Sequence, residues 1–227
     1  MRGSLRGKIN KSNLSEQTVQ AIKARILSFD YEPGRRIAIE TLSEELGISF
    51  TPVRDAIREL VTQGYIDYDG NSHKVRVYSR REIDDLFAIR SALEVLAVEL
   101  ASQRLEERDL DALRSICEQS EKAMSEKNFD NLTSLDIEFH EKIANSARND
   151  QLGKILNNIR ERSWYIRRWV FGMHKHEQDE YYAVTEHKAI LEKLMARDVG
   201  GVVVCMREHM RNSEDRTLRT LPDEQAT

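Results

Sequence analysis

The chain has 227 residues, 40% apolar and 33% charged, with ten Gly and three Pro, which describes a soluble, helix-rich protein with room for two domains. No apolar run approaches the ~20 residues of a membrane span, and the basic, polar start MRGSLRGKINKSNLSE has no apolar signal-peptide core, so the expected compartment is the cytoplasm. The net charge of −4 is unevenly shared: through Ser79, 12 Lys/Arg stand against 10 Asp/Glu, while the remainder holds 23 against 29, so affinity for a polyanion must come from locally placed cations.

A first helix is predicted from Ser15 to about Phe29, with Val19, Ile22, Ile26 and Leu27 on one face, and Tyr31-Glu32-Pro33-Gly34 reads as a turn. Thr41 to Gly64 holds two short amphipathic helices joined at Gly47, where the chain must leave a helix through a left-handed residue. Leu42 and Leu46 form the apolar edge of the first; Val53, Ile57, Leu60 and Val61 form the stripe of the second. Ser49 or Thr51 is the expected cap of that second helix, and Pro52 suits its first turn. Its outer side carries Thr51, Arg54 and Arg58, the pattern of a helix-turn-helix whose second helix enters a DNA major groove. Arg54 and Arg58 also have local rivals for their charge in Asp55 and Glu59. Tyr65–Tyr68 and Lys74–Tyr78 flank a Gly70-Asn71 tip, a β-hairpin in the place of a wing, with Gly70 and Asn71 as candidate backbone or minor-groove contacts.

From Ser79 onward no strand signal appears. Amphipathic stretches at about 82–103, 107–127, 130–146, 151–171, 178–196 and 199–216, with Asp198 as an N-cap, predict an antiparallel bundle. The expected fold is thus mostly α: a winged helix-turn-helix over 1–79, an all-helical domain over 80–220 and a frayed tail over 221–227, the loss of pattern beginning near Leu218. Cys117 and Cys205 lie far apart, as reduced, inert thiols would.

Within the bundle, Asp136 and His140 lie in the stripe of Leu132, Leu135, Phe139 and Ile143. His187 shares a face with Val184, Leu191 and Leu194, and His209 with Val202, Cys205 and Met206. A single histidine on such a face is commonly a hydrogen-bonded core residue. Three imidazoles and a carboxylate aimed inward from three helices fit a metal, with Zn²⁺, Ni²⁺, Mn²⁺ and Co²⁺ all compatible with four N/O ligands. His73, His174 and His176 fall in polar surroundings and are expected at the surface. Arg90 lies on the stripe of Leu86, Leu93 and Leu100; it either meets an anion or simply pairs with Glu94 at i+4. Trp164, Tyr165 and Trp169 either wall a cavity or pack as aromatics.

The order Pro33-Gly34, LSEELGIS, TPVRDAIREL, QGYI and a wing resembles the GntR family of bacterial transcription factors. Arg90-Ser-Ala-Leu-Glu94, Asp136-x-x-x-His140, Glu186-His187 and Asp198 through His209 resemble its FadR-like subfamily with an FCD ligand-binding domain. The resemblance implies no enzyme but a homodimer on palindromic operator DNA. It also implies a metal held by Asp136, His140, His187 and His209, with a small organic acid completing the coordination. Phe50 departs from it, standing where relatives carry a DNA-contacting Arg, so an apolar contact with sugar or a thymine methyl is expected there. Glu40 also stands where some relatives carry a contacting Arg, so operator sequence does not carry over. A metalloenzyme, or a constitutive DNA-binding protein whose metal only staples the bundle, are the competing readings of the same residues.

Overall fold

Gly47 has φ 65°, and the amides of Gly47 and Ile48 return to the carbonyls of Glu44 and Ser43, closing one helix so that the next can start three residues later. This turn sits in a computed structural model that describes residues 9–171, 177–219 and 221. Contacts divide the chain into two units, Met1–Val77 and Tyr78–Thr227.

In the first unit the order is α1 (Ile9–Leu27), β1 (Arg36–Ile37), α2 (Ile39–Leu46), α3 (Phe50–Thr62), β2 (Ile66–Tyr68) and β3 (His73–Val75). α1 and α2 both pack on α3 around buried Ile22, Ile26, Leu42, Val53, Ile57 and Leu60. α1 is already helical at Ile9 and ends two residues before the predicted Phe29, which adopts φ 66° and turns the chain. Ser49 occupies the N-cap of α3 but its hydroxyl makes no cap bond, and Thr51 lies inside the helix, so neither expected side-chain cap forms. The wing is a three-stranded antiparallel sheet in the order β1-β3-β2, pairing Arg36 with Lys74 and Ile66 with Val75. β1 was not expected, because two residues after a turn are too few to show alternation. Glu45 gathers Arg25, Tyr31 and Arg35, tying α1, the following turn and α2 together.

The second unit holds α4 (Arg80–Arg104), α5 (Glu107–Ser125), α6 (Phe129–Ser146), α7 (Asp150–Phe171), α8 (Glu177–Met195) and α9 (Val199–Arg219). α4 opens on a capping box: the Ser79 hydroxyl accepts from the Glu82 amide at 3.3 Å while the Glu82 carboxylate accepts from the Ser79 amide at 2.9 Å. Asp198 caps α9 by accepting from the Gly201 amide at 2.8 Å; a Cβ on Gly201 would lie 2.2 Å from the same carboxylate, so the cap needs glycine there. α4 packs against α6, α7 and α9, and α5 against α6 and α8. Leu113, Phe139, Ile143, Leu156, Ile190 and Met206 lie in their shared core. Leu218 and Arg219 belong to α9 and Leu221 is buried, so packing persists beyond the point where fraying was expected; residues 222–227 lie outside the described residues.

Candidate metal centre and nucleic-acid interface

His140 on α6, His187 on α8 and His209 on α9 are all buried, each carried inward by the apolar stripe of its own helix. One nitrogen from each ring lies within 4.8 Å of the others. Nε2 of His140 is 3.1 Å from Nε2 of His209. Asp136, one turn before His140, stands at the rim of this cluster: its Oδ1 is 3.6 Å from His187 Nε2 and its Oδ2 is 3.3 Å from Arg167 Nη1. The three histidines singled out in the sequence therefore form one cluster, with Asp136 beside it against His187 and Arg167.

Three surrounding features orient the rings. His209 Nδ1 is 2.7 Å from the Glu186 carboxylate, which also accepts from Arg216 at 3.0 and 3.1 Å and from Asn212 at 2.9 Å. His140 Nδ1 lies 3.4 Å from Glu94, whose carboxylate takes both Nε and Nη2 of Arg160 at 2.7 and 2.8 Å. His187 stacks on Phe139, ring centroids 4.1 Å apart. Arg160, Arg167 and Arg216 were missed in the sequence, although Arg160 falls among Leu152, Leu156 and Ser163 on the buried side of α7.

Burial pushes His187 well below the ordinary histidine value, and the neighbouring His209 adds to the shift. Burial also lowers His209, against the pull of its Glu186 bond. Both rings are thus neutral at pH 7, the form that ligates metal. Burial alone would raise the Asp136 carboxyl, but the positive charge around it, that of Arg167 foremost, outweighs burial and holds the group below the usual carboxylate range. Glu186 likewise overcomes burial through His209 and Arg216 and falls to about 2.

The donor set fits a divalent transition metal. Zn–N bonds of about 2.0–2.1 Å set tetrahedrally place ligand nitrogens roughly 3.3 Å apart, close to the His140–His209 separation. His187 Nε2 is buried with no hydrogen-bond partner in the structure, the state expected of a nitrogen kept for a metal. Next to these rings is a cavity of about 20 Å³ lined by Arg90, Asp136, His140, Arg160, Trp164 and Arg167, with room for about one water. Arg90 is 4% exposed. Its Nε lies 3.6 Å from Glu94 but makes no hydrogen bond, because Arg160 has taken that carboxylate. Trp164 walls this cavity, whereas Tyr165 packs edge-on against Tyr78.

In the first unit, Phe50, Thr51, Arg54 and Arg58 all lie exposed on α3, Phe50 at 58%. Neither arginine makes an ion pair among the described residues, and the Glu59 carboxylate is engaged by Gln63 instead. Gly70, at φ 89°, and Asn71 are exposed at the wing tip. The tip is shaped by Asp69, whose carboxylate accepts from the amides of Ser72 and Asn71 and is held well below the usual carboxylate range by those bonds. His73 is half-buried, stacked on Tyr68 at 4.6 Å; His174 and His176 lie outside the described residues.

Residues 14–72 match the family of bacterial regulatory proteins known as gntR, and residues 85–212 match the FCD domain. The chain belongs to the GntR family. Within it, the FCD domain agrees with the FadR-like branch. This GntR protein is 32% identical over 159 residues to the Nta operon transcriptional regulator of Aminobacter aminovorans, covering 66% of this chain and 75% of the relative. It is 27% identical over 213 residues to the HTH-type transcriptional regulator McbR of Escherichia coli strain K12, covering 91% and 94%. The solved structure of E. coli McbR/YncC shares its fold, with TM-score 0.75 at 23% identity over 91% of this chain and 97% of that one. The chain is therefore a DNA-binding transcriptional regulator; its families and relatives are regulators rather than enzymes. No helix among the described residues is long and apolar enough to cross a membrane.

Proposed function

We propose that this GntR-family protein is a cytoplasmic metabolite sensor that binds palindromic operator DNA as a homodimer. Residues 1–79 read the DNA, and residues 80–220 form the metal-dependent sensing and dimerisation domain. Phe50, Thr51, Arg54 and Arg58 meet the major groove, and Gly70 and Asn71 approach the DNA backbone or minor groove. Asp136, His140, His187 and His209 hold a zinc, nickel, manganese or cobalt ion, which supplies Lewis acidity and open positions for a small organic acid. Arg90 contributes positive charge toward that acid. The observation that carries this reading is the convergence of three buried imidazoles and an ionised carboxylate beside a buried guanidinium whose Nε lacks a hydrogen-bond partner. An acid that binds one arrangement of the dimer better than another shifts the population toward or away from DNA.

The test measures affinity for an operator selected from random-sequence DNA, against a panel of small carboxylates, before and after chelation. At least one acid is expected to change operator affinity several-fold in the metal-loaded protein and to lose that effect on chelation, with helical content retained. Chelation that unfolds the bundle, with no acid altering DNA binding at any stage, would make the metal a staple and overturn the sensor reading.

A further inference from the structure

Two of the three imidazoles share one supporting design. His209 presents Nδ1 to Glu186 at 2.7 Å, and Arg216 grips both oxygens of that carboxylate. His140 turns Nδ1 toward Glu94 at 3.4 Å, near enough to feel its charge although that nitrogen makes no hydrogen bond, and Arg160 grips both oxygens of that carboxylate. Arg160 also donates to the His140 carbonyl at 2.8 Å, so one guanidinium holds both the supporting carboxylate and the backbone of the residue it supports. With their Nδ1 sides turned to carboxylates, the two rings turn Nε2 toward each other. A carboxylate accepts but cannot donate, so it selects the tautomer with hydrogen on Nδ1 and leaves the Nε2 lone pair free. His187 lacks such a carboxylate and is oriented by Phe139 instead.

We propose that Glu186 with Arg216 is a positioning pair that fixes the tautomer and aim of His209 through a direct hydrogen bond, and that Glu94 with Arg160 biases His140 the same way through its charge and the bond to the His140 carbonyl, making Nε2 the metal-ligating atom of both. This rests on the metal reading of the preceding section. The pairs are unequal. Glu94 is fully buried and belongs to the core between α4, α6 and α7, while Glu186 keeps 18% of its side chain exposed. Glu186 is therefore the position at which orientation can be removed with less damage to packing.

The experiment uses the full chain and zinc, with affinity read by competition against a chelating dye. Ring nitrogen chemical shifts of the zinc-free protein read the His209 tautomer. Glu186→Ala is expected to lower zinc affinity about 10–100-fold. It is also expected to convert His209 from a single Nδ1–H tautomer to a mixture, while Glu208→Ala, at an exposed position on α9, changes neither reading. If Glu186→Ala does not fold, Glu186→Gln keeps the shape, removes the charge and is expected to weaken zinc in the same direction by less. Zinc affinity within twofold of the parent, with the His209 tautomer unchanged, overturns the positioning role alone. A parent chain that takes up no zinc overturns the metal reading and the positioning role with it.

Discussion

The two units keep their functional groups on opposite sides of the water boundary. In Met1–Val77 the residues proposed for DNA contact stand in solvent on α3 and the wing tip, and Arg54 and Arg58 make no ion pair among the described residues. In Tyr78–Thr227 the corresponding groups are buried or half-buried, and Glu94, Arg160, His140, His209, Glu186 and Arg216 follow one another in a connected network. Exposed charges in high dielectric act nearly singly, are screened by salt, and can be exchanged with little effect on folding. Buried charges each depend on the partner beside them, so their effects are large and do not add. Such a chain can exchange its exposed DNA-facing side chains without disturbing its buried core more readily than the reverse.

The sharpest break of this contrast is Glu94→Ala. It leaves Arg160 buried without its bidentate partner, and removal of one member of a buried pair costs about 3–5 kcal/mol. Trp164 and Trp169 are the only two tryptophans and both lie on α7, so tryptophan fluorescence during urea unfolding reports the helical unit alone. Lys188→Ala, which removes an exposed partner of Glu121, should cost about 0–1 kcal/mol in the same assay. Equal costs would erase the distinction between the two kinds of pair.

Acid should act next most strongly, and on the helical unit. His187 and His209 both have folded values lowered below the ordinary one near 6.5. The unfolded chain therefore takes up protons first, and their contribution is complete above about pH 6.5 and lost as pH falls below it. The two together can lower stability by at most about 2.7 kcal/mol per pH unit. The depressed carboxyls of Glu94, Asp136 and Glu186 have the same sign and act at lower pH. Metal-free protein unfolded at pH 7.5, 6.5 and 5.5 should show this decline, and His187→Phe should flatten it; a stability independent of pH over that range would contradict burial of neutral rings.

How far these features were legible depends on their range in sequence. Gly47, Pro33-Gly34 and the stripes carrying Asp136, His140, His187 and His209 are local patterns, and periodicity alone brings those side chains to the inner faces of α6, α8 and α9. Arg160 and Glu94 are 66 residues apart, and Arg216 and Glu186 are 30 apart. A single sequence shows a charge on an apolar stripe but not which distant charge will meet it. Arg90 shows the same limit: its i+4 partner was visible, but not that Arg160 would claim the carboxylate first. The missing β1 and the early end of α1 at Leu27 have a local cause, since a two-residue strand has no period and Phe29 has no conventional left-handed signature.

On the DNA-facing side, Arg54→Ala should weaken operator binding by about 1–3 kcal/mol if the guanidinium reads a base, with little change in the helical unit's urea midpoint. A loss of the same size on random DNA would reassign Arg54 to a phosphate. A shift of the bundle's own unfolding transition would show that the exposed face is coupled to the core after all.

Phe50 gives the smallest effect and the most specific one. It begins α3 with 58% of its surface exposed, so Phe50→Ala should change folding stability by less than about 0.5 kcal/mol. If the ring rests on sugar or a thymine methyl, its loss should cost about 1 kcal/mol or less in operator binding and leave the salt dependence untouched, because no counterion is released by an apolar contact. Phe50→Arg, which places a cation at the start of α3, should steepen the slope of log affinity against log salt by about 0.9 if it reaches a phosphate. Fluorescence anisotropy at several salt concentrations separates the two. A shallower slope in Phe50→Ala would mean that the ring orders a neighbouring cation, and would make Phe50 a support for Arg54 rather than a contact in its own right.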